Sequence, residues 1–296
     1  MIDNVKLVTR VKLFPLCTCE NMPQFVIVGN LKLIAVKSLK DFKIIKYQCM
    51  HKNLLITLVK DELRITNSIH KFSKANNYSN FTYNELFESI TKIEKLTEIS
   101  ASKFEIKKLE FGLNIEVPFK TENYLLNFSD YKGKNPEKMM SSNTSYGIKY
   151  FFTEYNIKIY DKEKQVKICD RINIDQNLLR IEIQYSKQRK LSVINYLSEL
   201  KEKNKLRELF NSFKKIIEKI NCKGDEDFTN FKNSERELYF AGSNDRYWAN
   251  LRAHNINTFK NNRKRYKDIQ QNVNIKDFIS SIMDTLNKKF NILIDS

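Results

Sequence analysis

No apolar run in this chain exceeds a few residues, far short of the roughly 20 that a membrane-spanning helix needs. The opening MIDNVKLVTRVK alternates like a strand and lacks the apolar block of an export signal. Cysteine is sparse and odd in number, five in 296 residues. That argues against a disulfide framework and for a reducing compartment, so the expected location is the cytoplasm. Cys17, Cys19, Cys49 and His51 could together offer zinc four ligands, but C-x-C is not the usual spacing, and metal-free thiols are the simpler expectation. Glycine and proline are scarce, at six and four, and no internal repeat is visible. Acids are in deficit too: 35 Asp and Glu face 52 Lys and Arg, a formal charge of +17. Such a field favours nucleic acid or an anionic surface. Part of it reflects codon usage, because Asn, Ile and Lys crowd the chain as an AT-rich genome would dictate. With 41% hydrophobic residues the chain can bury a core, which excludes wholesale disorder.

Residues 1–66 read mainly as strands, in clusters such as PQFVIVG, LKLIAVK and NLLITLVK. Thr82 to Glu85 forms a capping box ahead of Leu86, Ile90 and Ile93 at helical spacing. KKLEFGLNIEV then alternates strictly, with Leu109, Phe111, Leu113, Ile115 and Val117 opposite Glu110, Gly112, Asn114 and Glu116. Residues 121–147, rich in Ser and Asn, predict a surface loop. Two more alternating stretches follow. In YNIKIYDK, Tyr155, Ile157 and Ile159 oppose Asn156, Lys158, Tyr160 and, if the strand continues, Lys162. In LLRIEIQYS, Leu179, Ile181, Ile183 and Tyr185 oppose Arg180, Glu182 and Gln184. From about residue 192 the pattern is helical: Leu206, Leu209, Phe210, Phe213, Ile217 and Ile220 form a stripe, Ser234 to Glu237 a second capping box, and Phe278, Ile282 and Leu286 a last helix. The expected class is α+β, a largely antiparallel sheet flanked by helices. Residues 1–190 would be the strand-rich part and residues 191–296 a helical, basic region.

If the three alternating strands share a sheet, its polar face gathers Glu110, Lys158, Tyr160, Arg180 and Glu182. Carboxylates of this kind can hold Mg²⁺ or Mn²⁺. A tyrosine oxygen can attack phosphorus, and nearby Lys or Arg can steady phosphate oxygens. The same residues could equally be cross-strand charge pairs on a solvated face, and Glu116 is expected to be solvated. Further on, Arg246, Arg252, Lys260, Arg263, Lys264, Arg265 and Lys267 occur without a single acid between Arg246 and Lys267. Tyr247, Trp248, Phe259 and Tyr266 are interleaved with them. The cations suit phosphates, and exposed rings could stack on unpaired bases. Trp248 and Phe259 are expected in a core, and Arg263 to Lys267 on DNA, setting affinity while base specificity comes from elsewhere.

In order, MID, SIHKF, KLEFGLNI, IYDKEKQ and LLRIEIQ resemble the gene II/gene X family of phage and plasmid replication proteins, along about two-thirds of the chain. The resemblance implies a rolling-circle initiator. Such a protein is a site-specific single-strand endonuclease and ligase that nicks a double-stranded origin, keeps the 5′ phosphate on a tyrosine and leaves a 3′ hydroxyl for synthesis. It makes Tyr160 the nucleophile and Glu110 and Glu182 the carboxylates for metal or proton handling, and it sets Lys162 and Arg180 on phosphate; Lys158, from the shared polar face alone, is a further expected DNA contact. It implies Mg²⁺ or Mn²⁺ as cofactor, duplex origin and single-stranded DNA as substrates, a host helicase and single-strand-binding protein as partners, and a bacterial cytoplasm. Three departures stand out: Gln165 replaces an acid, Glu110 replaces an Asp, and no His-hydrophobic-His pair is present, so a histidine-bound metal is unsupported. His70 is expected to be structural. A non-enzymatic origin-binding initiator or DNA-binding regulator is the alternative. A tyrosine recombinase fits poorly, because Tyr160 lies mid-chain.

Overall fold

The computed structural model describes residues 1–11, 23–118, 120–186, 193–222, 226–227, 232–242, 244–272, 274–275 and 278–296. The first strand, β1 (Ile2–Arg10), is followed by β2 (Phe25–Val28), β3 (Leu31–Lys37), β4 (Ile44–His51), β5 (Leu54–Val59) and β6 (Glu62–Ser68). Two helices come next, α1 (Ile69–Lys74) and α2 (Tyr83–Thr97), and then the long strand β7 (Glu105–Glu116). A short helix α3 (Thr121–Leu125) leads to β8 (Phe128–Tyr131), β9 (Glu137–Ser141), β10 (Thr144–Phe151) and β11 (Tyr155–Asp161). Helix α4 (Lys162–Cys169), strand β12 (Leu178–Tyr185) and helix α5 (Lys203–Ile217) complete this run, and β13 (Ile220–Cys222) follows α5.

Eleven of these strands form one sheet in the order β2-β3-β4-β5-β6-β1-β7-β12-β11-β10-β9, antiparallel throughout. The three alternating stretches are therefore neighbours: β7 beside β12, β12 beside β11. Their apolar residues are buried on one face, where Phe111 meets the edge of Phe213 on α5 with ring centres 5.3 Å apart. Phe210 stacks on Phe290 at 4.0 Å beside them. Burying each such ring contributes roughly 1.5–3 kcal/mol, which ties the helices to the sheet.

Local chemistry explains where elements start and stop. Thr82 and Glu85 make both hydrogen bonds of the capping box on α2. β11 ends at Asp161 because its carboxylate accepts from the Lys164 amide at 2.8 Å, capping α4. Lys162 is consequently the first residue of a helix and not a continuation of the strand. Residues 121–147 are not a loop. Ser142 and Asn143 both take positive φ, 45° and 66°, the geometry of a tight hairpin, and their flanks pair as β9 and β10. Helix α6 (Asn233–Gly242) also differs from expectation: Ser234 lies inside it, and Glu235 rather than Glu237 accepts from a backbone amide, that of Lys232.

The chain forms two compact units, Met1–Asn221 with Met283–Ser296, and Cys222–Ile282. The expected division at residue 190 falls within 187–192, outside the described residues, and α5 belongs with the sheet. In the second unit, α6 is followed by α7 (Asp245–His254) and α8 (Ile256–Asn272), with a two-residue pair of β14 (Glu226–Asp227) and β15 (Asn274–Ile275). The last helix is α9 (Phe278–Asp295), on which Ile282 and Leu286 are buried. Among the described residues no helix is long and apolar enough to cross a membrane.

Candidate functional site

Register brings the polar residues together. Lys158 lies opposite Glu182 and Tyr160 opposite Arg180 across β11 and β12; Arg180 lies opposite Asn114 and Gln184 opposite Glu110 across β12 and β7. Lys158 Nζ donates to Glu110 Oε1 at 2.7 Å and to Glu182 Oε1 at 2.9 Å. Arg180 donates from Nε to Glu182 Oε2 at 2.5 Å, and its two terminal nitrogens reach Asn114 Oδ1 and Asp3 Oδ2, each at 2.9 Å. The Tyr160 hydroxyl donates to Glu182 Oε2 at 3.3 Å. All five residues expected on the polar face are thus in one network, and Asp3 on β1 joins them.

This face is not solvated. Tyr160 is only 6% exposed, and Asp3, Glu110, Arg180 and Glu182 are buried. The turn between α1 and α2 covers part of it, over Asp3, Asn114, Arg180 and Lys162. Asn77 donates to Asp3 Oδ2 at 2.9 Å, and its side-chain oxygen takes Lys162 Nζ at 2.9 Å. Its backbone carbonyl accepts from Arg180 at 3.4 Å and from Asn114 at 3.3 Å. Burial on this scale is tolerable because the three carboxylates are paired with Lys158 and Arg180 and accept further hydrogen bonds.

Ionisation follows from these contacts. Burial pushes the Asp3 carboxyl up, but Arg180 and the hydrogen bonds from Ser68 and Asn77 outweigh it and hold it below its ordinary value. Glu182 is likewise held low, by Arg180 and Lys158 against burial. Burial and then the Glu182 charge raise the Tyr160 phenol well above its usual 10. Burial would lower the Lys158 ammonium, yet Glu182 and Glu110 keep it raised. Lys162 has no carboxylate on its nitrogen, only Asn77 and Gln165 oxygens, at 2.9 and 2.7 Å. Burial first, and Arg180 second, lower it to about 7.

Two glycines make the room. Gly112 lies opposite Glu182, and Gly147 opposite Tyr160. A methyl on Gly147 would sit 2.7 Å from the Ile159 carbonyl oxygen and 2.8 Å from Tyr160 Cα; one on Gly112 would meet Ile181 O and Glu182 Cα at the same distances. Those neighbours are backbone and cannot swing away. Gly147→Ala and Gly112→Ala are each expected to cost roughly 1–3 kcal/mol or more, read as a fall in the urea midpoint. A wild-type midpoint for either variant would show that the strands can part there freely.

Asp3, Glu110 and Glu182 offer one oxygen each within 4.8 Å of one another, a group of metal-binding geometry among the described residues. Hard oxygen donors suit Mg²⁺ or Mn²⁺. Lys158 and Arg180 already lie on these oxygens, so a cation must displace Lys158 from Glu110 and Glu182. Lys158 accordingly faces carboxylates and not an open DNA surface. The sequence reading passed over Asp3, although an acid set among the apolar residues of β1 was the available signal. Asn77 lies in a turn, where no periodicity marks it.

The remaining candidates fall as follows. His70 is buried, stacked on Phe81 at 4.7 Å, and lowered to about 2, by burial first, which suits a structural role. Glu116 is exposed. Cys49 and His51 sit on β4, while Cys17 and Cys19 lie outside the described residues. Arg246, Arg252, Lys260, Arg263, Lys264, Arg265 and Lys267 are all exposed. The rings between them turn inward instead: Trp248 is buried with Leu238, Tyr239 and Ile269, and Tyr247, Phe259 and Tyr266 pack against that cluster.

No protein-family model matches the chain, and no curated protein matches it. Among solved structures it is similar to a rolling circle replication initiator protein from Geobacillus stearothermophilus, at 12% identity and a TM-score of 0.34, over 68% of this chain and 78% of that one. A likeness of that extent places neither a residue nor a reaction.

Proposed function

We propose that this chain initiates rolling-circle DNA replication by nicking one strand of a duplex origin through Tyr160. The observation that supports this best is the convergence of Tyr160, Arg180 and the carboxylates of Asp3, Glu110 and Glu182 on adjacent strands, with Lys162 beside them at the start of α4. In the proposed step the Tyr160 oxygen bonds to phosphorus, the bond from phosphorus to the 3′ oxygen breaks, and a 5′-phosphotyrosine remains. The phenol proton leaves to water in the opened site as that bond forms, and the departing 3′ oxygen takes up a proton from water to become the hydroxyl that primes synthesis. Arg180 and Lys162 would bind the phosphate oxygens in place of Asn77. A divalent cation on Asp3, Glu110 and Glu182 would polarise the phosphodiester.

Tyr160 is buried and its ring meets the Tyr146 ring edge-on at 6.0 Å, so nicking requires the cover over this hydroxyl to open before DNA enters. A second reading, a non-catalytic origin-binding initiator, is favoured by one observation: Lys158 occupies the space between Glu110 and Glu182. The experiment uses full-length protein, supercoiled DNA of the replicon that encodes it, and Mg²⁺ or Mn²⁺. Wild type should give open circles and a denaturation-resistant 5′ adduct, and Tyr160→Phe should lower nicking by roughly 10⁴-fold or more. An adduct in both proteins moves the nucleophile elsewhere. Origin binding without a nick under either metal supports the non-catalytic initiator. Helicase and single-strand-binding partners follow from the proposed process alone.

A further inference from the structure

Helices α7 and α8 are joined through a single residue, Asn255, whose carbonyl and side-chain oxygens accept from the amides of Phe259 and Thr258 at 2.9 and 3.0 Å. One side of α8 is spent on the core. Phe259, Tyr266 and Ile269 pack around Trp248, Asn262 donates to the Tyr247 hydroxyl at 3.0 Å, and the Arg263 guanidinium lies 4.9 Å from the Trp248 ring centre. At about 100° per residue, the ridge opposite that core carries Asn257, Lys260, Asn261 and Lys264, all exposed. Lys267 flanks the ridge on one side and Arg265 on the other. An exposed acid, Asp268, follows only a turn beyond Lys264. The half of α8 from Asn257 to Lys264 is therefore the part suited to approach an anion, and its helix N-terminus adds positive field.

This layout selects among nucleic acids. A single strand is held best by open rings on which bases stack, whereas here Trp248 is buried and Tyr247, Phe259 and Tyr266 are half-buried against its cluster. Double-stranded RNA hides its base edges in a deep, narrow major groove. The major groove of B-form DNA admits one α-helix, and there an asparagine amide pairs bidentately with adenine N6 and N7.

We propose that α8 lies in the major groove of duplex DNA, with Asn257 and Asn261 reading bases and Lys260, Lys264, Arg265 and Lys267 on the flanking phosphates. The proposal rests on the reading of the protein as an initiator that binds duplex DNA. It moves sequence selection into the same helix as the charge, whereas the sequence alone suggested affinity without specificity. Asn257 and Asn261 are separated by about 6 Å along the helix, close to two base steps of about 3.4 Å, so the preferred site should carry adenines roughly two pairs apart.

The test begins with full-length Tyr160→Phe protein and a pool of random duplexes, selected to an enriched site. Asn257→Ala and Asn261→Ala should each weaken binding to that site roughly tenfold. Affinity for scrambled duplex and the dependence on salt should stay unchanged. Lys260→Gln and Lys264→Gln should weaken both duplexes alike and lower the salt slope by about one each. The side chains are exposed, so these substitutions leave the core intact. Asparagine variants that keep the full site preference overturn the base-reading role, even if the wild type nicks DNA. Tighter binding of single strands or RNA than of duplex overturns the groove assignment. Asparagine-dependent selectivity in a wild-type protein that never nicks supports α8 and removes only the catalytic reading.

Discussion

Arg180→Met is expected to destabilise the protein by roughly 3–5 kcal/mol, more than any other substitution in the polar cluster. The guanidinium touches Glu182, Asn114, Asp3 and the Asn77 carbonyl at once. Methionine fills much of the volume but leaves Asp3 and Glu182 buried without their main cation. In wild type both carboxyls are held below their ordinary values, so the stability they contribute is present above about pH 4 and lost as pH falls through the folded values. In the variant burial acts unopposed by Arg180, and the two groups become costly as they ionise. The gap between the proteins should therefore be widest near pH 7 and narrow toward pH 4.5. Urea midpoints at the two pH values check this. A gap that stays constant would mean that lost packing, and not stranded charge, causes the destabilisation.

The second large effect belongs to Lys162. Its nitrogen is buried with two amide oxygens as partners, and it titrates at about 7 where an ordinary lysine titrates at 10.5. Above pH 10.5 neither state is charged and burial is harmless. As pH falls toward 7 the unfolded chain takes up the proton first, so stability falls, by an amount on the order of 3 kcal/mol between pH 9.5 and 7. Tyr160 and Tyr185 are raised from 10 and act only above that window. Gln165→Glu would place a carboxylate on the ammonium within one turn of α4, and stability should then be nearly flat from pH 8.5 to 9.5, the buried Met1 amine, lowered to about 5 mainly by burial, leaving some slope nearer pH 7. Denaturant midpoints across that range decide it: an unchanged slope in the variant would show that another group is responsible. Burial and the Arg180 charge lower this lysine, and the neutral glutamine at 165 does not oppose them.

Much of the candidate site was legible because a strand's period of two assigns residues to faces. Glu110, Lys158, Tyr160, Arg180 and Glu182 share a face for that reason, and their strands do lie side by side. Alternation cannot say what covers a face, so the turn carrying Asn77 and the burial of Tyr160 were invisible. Lys162 comes from the family resemblance, and it would share the polar face only if the strand continued; Asp161 followed by Lys, Glu and Lys is a helix start instead. The loop expected over residues 121–147 failed because Ser and Asn mark tight hairpins as readily as long loops. In the basic region, helical spacing separates Phe259, Tyr266 and Ile269 from Asn257, Lys260, Asn261 and Lys264, and Trp248 was expected in the core, where it lies.

The ion pair between Asp3 and Arg180 joins residues 177 positions apart. A ribosome moving at about 5–20 residues per second makes the second partner roughly 10–35 s after the first. Within that interval β1 can pair with β6 and then β7 as each is made, yet Asp3 has no guanidinium to meet. The network can close only after β12 has been synthesised and has docked between β7 and β11. A nascent or truncated chain lacking β12 therefore holds Tyr160 without Arg180 and Glu182, and under the proposed chemistry it cannot cut DNA. Under that proposal, the strand that joins β7 to β11 would also complete the chemistry, and half-made protein would be harmless protein.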